Sequence, residues 1–448
     1  MPKRKSTPPP RPIQTRAQPI PLAIADSSSG GVRVRLSSPD PKRPSLSTAE
    51  LVAMVGGLMM LNAFSIDIML PALPDIAQDF DQPGNARQLV ITAYVFGFGI
   101  AQLVFGPVAD AIGRRRTLML SLAGYAAATG LCIAAPGFEW LLAARALQGA
   151  VVAASRVVAM AVIRDLVSGR RMAEIMSFAM TVFMAAPIFA PTIGQGILFV
   201  GGWQYIFAFL LVASGGLFAW MQIRLPETLP EDARIPFNVR AATRNYVLAA
   251  RSRVTVGYMA AGGLIFGSLF AFLASSEQVI GGLYGLEAWF GPLFAGVAIG
   301  LALANIVNAR LVGRLGMRRL SHTALVLFIA INSVHALLSF SGPLPFWAYY
   351  ALTCAAMMLF AMIGANFSAL VMEPAGERAG TTAALYGATT SLVGSVLGSA
   401  IGQTYDGSVT PLVAGMALLG AIALMIVVIT ERGRLYALPG VHEEEPAE

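Results

Sequence analysis

Twelve apolar runs, each near 20 residues long, occupy this sequence from residue 50 onward, and nothing else in it constrains the fold as tightly. They cover residues 50–72, 88–109, 117–136, 139–164, 174–199, 202–224, 253–275, 289–312, 320–340, 345–371, 379–403 and 408–430. A helix of about 20 residues crosses the roughly 30 Å of hydrocarbon in a bilayer. In lipid every backbone N–H and C=O must be paired within the protein, so apolar runs of this length read as helices. The chain is therefore read as an all-α membrane protein with twelve transmembrane helices. Charge is scarce in the same sense: 12% of the 448 residues are charged, about half the share of a soluble chain.

Basic residues set the orientation. Beyond residue 48, alternate connections together hold 19 arginines and the opposite ones hold Arg87 alone. Basic loops remain in the cytoplasm, which places both termini there, in a bacterial-type inner (plasma) membrane. Trp140, Trp203, Trp289 and Trp347 then open spans at the outer interface, and Trp220 closes one at the inner interface. Residues 1–48 carry nine Lys/Arg among Pro and Ser, without a signal-peptide core. They read as a disordered basic cytoplasmic tail able to touch anionic headgroups, and 432–448 as a second cytoplasmic tail. The charged connection 226–252 separates two six-helix bundles, 49–225 and 253–431. A weak repeat, Ala109–Arg116 (ADAIGRRR) after span 2 and Val312–Arg319 (VGRLGMRR) after span 8, makes the bundles pseudo-symmetric. Twinned halves point to a transporter with its site between them.

Several chemistries are excluded by what the chain lacks. All three lysines (Lys3, Lys5, Lys42) lie in the tail, so no GxxxxGK[ST] phosphate loop exists. A Schiff-base lysine in the membrane region is excluded likewise. Cys132 and Cys354 stand singly, the three histidines are scattered, and no serine sits in GxSxG. No metal, no cofactor, no enzyme activity and no nucleic-acid partner are expected.

Three charges inside the spans carry the functional reading. An ionisable side chain within a span faces protein or a water-filled cavity and marks function by default. Asp67 lies five residues before Ala72 in span 1, and Arg145 six residues after Glu139 in span 4. Both sit about 8–9 Å below the outer ends of their helices, so a buried ion pair between them is expected, either static or gaining and losing a proton as the cavity alternates. Arg156 follows Arg145 by eleven residues, on a similar face. It either snorkels inward or lines the substrate cavity. Tyr94, Gln102, Gln148 and Asn305 are further polar candidates for that cavity, with helix–helix hydrogen bonding as the alternative. Gly394, Gly398 and Gly402 form a smooth face on span 11 for close packing.

The most specific local motif is Gly106–Arg116 (GPVADAIGRRR). Pro107 and Gly113 shape a tight turn, and Asp110 sits beside three arginines. This segment resembles the signature between spans 2 and 3 of the major facilitator superfamily. Asp67–Pro74 (DIMLPALP), Ala93–Gln102 (AYVFGFGIAQ), Arg145–Gly149 (RALQG), Pro226–Pro230 (PETLP) and Arg378–Ala384 (RAGTTAA) are similar to segments of its bicyclomycin- and chloramphenicol-resistance branch of drug–proton antiporters. The resemblance covers residues 50–430. It implies two bundles rocking about a central cavity, Asp67 and Arg145 coupling protons, and Gly106, Asp110, Gly113, Arg114 and Arg115 forming a cytoplasmic gate. It also implies an antiporter-type motif in span 5 around Pro187, Pro191 and Gly194, although Ala190 and Gln195 stand at two of its glycine positions.

The expectation is a monomeric, proton-coupled exporter of small molecules, its partners being substrate, protons and lipid. Export of an endogenous metabolite or anion is the nearest rival, with Arg156 as the discriminating residue. A transport-inactive sensor or scaffold using the basic tail is the remote one.

Overall fold

A computed structural model describes residues 46–436 except 83 and 168, and without the side chains of 170, 173, 177, 180 and 377. Most of the expected N-terminal tail and the end of the C-terminal one lie outside the described residues. All twelve expected spans are helices: α1 (Thr48–Asp67), α2 (Leu89–Ile112), α3 (Arg114–Ile133), α4 (Phe138–Leu166), α5 (Gly169–Leu198), α6 (Gln204–Arg224), α7 (Arg253–Glu277), α8 (Phe290–Leu315), α9 (Met317–Ser339), α10 (Phe346–Met372), α11 (Ala379–Gln403) and α12 (Thr410–Thr430). Each lies in a segment long and apolar enough to cross a membrane, and the described residues contain no strand.

One boundary differs in an instructive way. The first span was expected to run to Ala72, but α1 ends at Asp67, followed by a 3-10 turn, Leu70–Ala72, and a short helix, Leu73–Asp79. Pro71 has no N–H to offer the Asp67 carbonyl four residues back, and its ring crowds that carbonyl. Asp67 is thus the last residue of the helix.

The helices of each half pack among themselves, and the halves meet along α2 with α11 and α5 with α8. With lipid as solvent, close packing rather than hydrophobic exclusion holds such helices together. Gly97 of α2 faces the Ala146 backbone of α4, and Gly149 of α4 faces the Tyr94 backbone of α2, each where a Cβ would overlap. In the other half Gly394 and Gly398 of α11 lie against Phe270 and Ala271 of α7, so the glycine face does serve close packing.

The internal repeat is visible in the backbone. Gly113 joins α2 to α3 at φ 100°, ψ 154°, and Gly316 joins α8 to α9 at φ 80°, ψ 153°. These positive-φ conformations favour glycine. At one end of the bundle Arg171 meets Thr48, Arg224 bonds Glu50 (Nη2–Oε2 2.7 Å), and Thr430 lies against Gly257. The first span therefore starts, and the last one ends, at the face that also carries the connection after α6. This is called the terminal face below, and its opposite the distal face.

That connection holds a helix, Val239–Ala249, capped by Asn238 Oδ1 accepting from the Ala241 N–H at 3.0 Å. It is strapped to α2 at two points. The Ile235 N–H donates to the Asp110 carbonyl (3.1 Å), and the Tyr246 hydroxyl donates to the Leu103 carbonyl (2.8 Å). Leu103 is four residues before Pro107, so its carbonyl has no partner in its own helix. Tyr246 supplies the missing donor.

Candidate functional site

Arg145 is fully buried, and each of its three nitrogens donates to a neutral acceptor. Nε donates to the Val90 carbonyl (3.3 Å), Nη1 to Gln148 Oε1 (2.6 Å) and Nη2 to the Ser65 carbonyl (2.9 Å). The guanidinium also stacks over the Tyr94 ring at 4.5 Å and faces Phe207 at 5.7 Å. Gln148 is held in turn by Thr129 (Nε2–Oγ1 2.7 Å), and the Tyr94 hydroxyl donates to Asn62 Oδ1 (2.9 Å). Tyr94 and Gln148, expected as cavity candidates, instead belong to this cluster, which ties together α1, α2, α3 and α4.

The expected Asp67–Arg145 ion pair does not form. Arg145 reaches α1 at Ser65, whose hydroxyl faces Tyr125 of α3 at 2.5 Å. Asp67 lies two residues on, about 200° round the helix. It shares a face with Gly56, eleven residues earlier, which packs on Val182 of α5. Arg145 directs its hydrogen bonds to neutral partners instead. Asp67 is 6% exposed, and among the described residues no donor or cation meets its carboxylate. That is an expensive placement for an ionised acid.

Arg156 differs from Arg145 in every respect but helix face. It is exposed, although Val152, Ser155 and Ala159 around it are buried. Its side chain is thus open within an otherwise largely buried stretch of α4. No hydrogen bond or ion pair holds it among the described residues. Its electrostatic neighbour is Tyr386 of α11, in the other half, whose buried hydroxyl also lacks a partner. Gln102 bridges the same interface (Nε2–Ser391 Oγ 3.2 Å). Asn305 donates only to its own helix at Leu301 (3.1 Å).

The motif around Asp110 forms a compact charge network at the terminal face. Arg114 pairs with Asp110 (2.6 Å) and with Asp165 at the end of α4 (3.2 Å). Glu227 of the PETLP segment caps α3: its Oε1 accepts from the N–H of Arg114 (2.8 Å) and of Arg115 (3.4 Å). Its carboxylate occupies the place a Gly113 Cβ would take. Arg115 Nη2 donates to the Gln222 carbonyl (2.8 Å). Gly106 leaves room beside Val157. The second half repeats the theme, with Arg318 bonded to Glu373 (2.8 Å) and Glu431 (2.9 Å).

The distal face carries residues that the sequence reading missed. Arg87 pairs with the buried Glu277 (3.2 Å), Gln88 meets Gln278 and donates to the Gly402 carbonyl (3.1 Å), and Gln278 donates to Asn85 Oδ1 (2.8 Å). Asn85 Nδ2 donates to the Gln403 and Tyr405 carbonyls at 3.0 and 2.9 Å. Gln195 donates to the Glu287 carbonyl (2.6 Å) and accepts from the Gly291 N–H (3.1 Å). One turn of α5 holds Pro191 and Gly194 with it, and Gly194 packs on the Ile68 carbonyl; Pro187 lies one turn before. So Gln195, a departure from the expected motif, is a cross-bundle contact. Among the described residues every hydrogen bond or ion pair made directly between the bundles is distal, apart from Gln102–Ser391. The available signal was slight: Glu277 and Gln278 end an apolar run, where polar residues read as a boundary.

Comparison with known proteins agrees with this architecture. The family model for the Major Facilitator Superfamily matches residues 55–399. The chain is 31% identical over 359 residues to the "Uncharacterized MFS-type transporter YdgK" of Bacillus subtilis, covering 79% of this chain and 88% of that one. It is 28% identical over 380 residues to the "Bicyclomycin resistance protein homolog" of Haemophilus influenzae, covering 85% and 95%. Among solved structures, the partially occluded inward-open xylose transporter XylE of Escherichia coli aligns with a TM-score of 0.67 at 14% identity, over 84% of this chain and 96% of that one.

Proposed function

Because the chain belongs to the Major Facilitator Superfamily, we propose that it exports small molecules in exchange for protons by alternating access. It works as a single chain in a bacterial-type inner membrane, with the terminal face and both termini in the cytoplasm. The arginine bias of the terminal-face loops supports that orientation. Residues 49–225 and 253–431 are the two rocking units, joined by 226–252. A bicyclomycin resistance homologue among the relatives favours drug-like compounds as cargo.

One observation carries the proton-coupled reading: Asp67 is a buried acid without a donor among the described residues. Binding a proton removes the cost of keeping it ionised in a low-dielectric setting. Asp67 also closes the helix that leads to the turn Leu70–Ala72, which packs against α7 of the other half. Its charge state therefore acts where the bundles move relative to one another. In the cycle, the distal seal opens while Asp67 takes up a proton from outside, cargo leaves, and the bundles rock back. Proton loss to the cytoplasm accompanies reloading. Arg145 maintains the shape of the first bundle throughout, and Asp110 with Arg114 fastens the terminal ends of α2, α3 and α4.

The test is chloramphenicol and bicyclomycin flux in reconstituted vesicles under an imposed pH gradient. Wild type should respond to the gradient, whereas Asp67→Asn should keep only gradient-independent exchange. A gradient response that survives Asp67→Asn defeats the proton-coupling role.

A further inference from the structure

We propose that Arg156 and Tyr386 form a subsite for an anionic group, so that the cargo class of this transporter includes small organic monoanions. The proposal rests on the transport reading above for its biological meaning, while the subsite itself rests on geometry.

Arg156 lies ten residues from the terminal end of α4, about 15 Å along the axis. Tyr386 lies seven residues into α11 from the same face, about 10 Å. Both are therefore well inside the membrane, on helices of opposite bundles. Around Arg156 the residues of α4 are buried or half-buried, and Arg156 itself is exposed. Its five N–H donors meet no acceptor among the described residues. The Tyr386 hydroxyl is buried without a hydrogen-bond partner among the described residues, and both it and the ring edge lie beside Gly262 of α7. Two unsatisfied polar groups that influence each other across α4 and α11, helices that meet at Arg164 and Gly380, call for a third, and the chemistry of the pair defines it. A guanidinium only donates, and a tyrosine hydroxyl donates readily. A carboxylate or sulfonate, which only accepts, satisfies both at once.

Charge points the same way. No acid among the described residues interacts with Arg156, so no internal counter-ion competes with an incoming anion. Low-dielectric walls around a lone cation focus its field on the cavity. Arg164, two turns nearer the terminal face, is also exposed, and its Nη1 lies 3.6 Å from where a Gly380 Cβ would stand. The two arginines mark a basic route from the terminal face to Tyr386. Arg145 contributes nothing to it, since it is fully buried and each of its nitrogens is already bonded. Because the subsite is shared between bundles, an anion held there bridges the moving halves.

The test uses the full chain in lipid nanodiscs and a matched probe set: 1-naphthoate, its neutral isostere 1-naphthamide, and 1-naphthylmethylammonium. Charge-assisted hydrogen bonds are worth about tenfold or more in affinity. Wild type should bind the carboxylate at least about tenfold more tightly than the amide, with the ammonium weakest. Arg156→Gln should bring carboxylate and amide within about twofold, Arg156→Lys should keep part of the preference, and Tyr386→Phe should weaken the carboxylate several-fold with the amide unchanged. Arg156 is exposed and Tyr386→Phe is nearly isosteric, so both variants should fold. A wild type that binds no naphthoate or prefers the amide overturns the proposal, as does an undiminished preference in Arg156→Gln. Naphthoate counterflow in vesicles is read separately. Arg156-dependent binding without any counterflow sinks the transport reading and leaves the anion subsite standing.

Discussion

Arg145 and Arg156 stand eleven residues apart on one face of α4, and the fold gives each nitrogen of the first an acceptor and, among the described residues, gives the second none. The buried one holds a bundle together. The open one faces the other half and is available to a ligand.

Arg145→Gln should lower stability by about 3 kcal/mol, because hydrogen bonds to a charged donor are lost and their acceptors stay buried. Arg145→Lys should rescue little, since an ammonium cannot reproduce the fork that reaches α1, α2 and Gln148 together. Thermal unfolding in detergent reads both; a lysine variant as stable as wild type would contradict this account.

The Tyr246–Leu103 hydrogen bond exists because Pro107 leaves a carbonyl free. Tyr246→Phe should therefore cost about 1 kcal/mol in the wild-type background. It should cost almost nothing beside Pro107→Ala, where the new N–H takes that carbonyl. A double-mutant cycle on unfolding free energy measures the coupling, and additivity would mean the two residues act independently.

Gly113 and Gly316 share a backbone conformation but not an environment. Alanine at either position carries the cost of positive φ, about 1–3 kcal/mol. Only at 113 does the added Cβ also meet the Glu227 carboxylate, nothing lying within 4 Å at 316. Gly113→Ala should thus lower Tm more than Gly316→Ala. Glu227→Ala should lose about 1–2 kcal/mol through the uncapped start of α3, and it should shrink the penalty of Gly113→Ala measured beside it.

The distal seal is testable by access. In a background lacking Cys132 and Cys354, Ser391→Cys provides a reporter at the interface between the bundles. A membrane-impermeant maleimide applied from the distal side should label it slowly. Glu277→Ala or Gln88→Ala should speed labelling several-fold, by removing the pair with Arg87 or the bonds to Gln278 and Gly402. Unchanged rates would show that the seal is held elsewhere.

Much of the site was legible in the chain, though not its pairings. Asp110, Gly113 and Arg114 could be read because they share one local motif and Asp110 pairs with Arg114 four residues on, although Asp165 and Glu227, which complete the network, come from far along the chain. Asp67 and Arg145 could be read as buried charges, because any charge inside an apolar run stands out. Their mutual pairing could not, since sequence spacing reports depth along a helix while contact also requires azimuth and neighbour. Glu277 and Gln278 were passed over for the complementary reason: polar groups at a span end look like a boundary. Gln195 was legible only as a departure from a pattern, and the structure turns that departure into a cross-bundle contact.

The sequence by itself determined the number of the spans and, to within a few residues, where most of them run. These follow from a local requirement, that each apolar segment satisfy its own backbone in lipid and bend or stop only where proline and glycine allow. Tertiary structure alone decided which polar groups meet: Arg145 with Ser65 rather than Asp67, Glu277 with Arg87, and Arg156 opposite Tyr386. Such meetings depend on the rotation and neighbours of whole helices, set by close packing at points such as Gly97 and Gly149 that lie far from the charges they align.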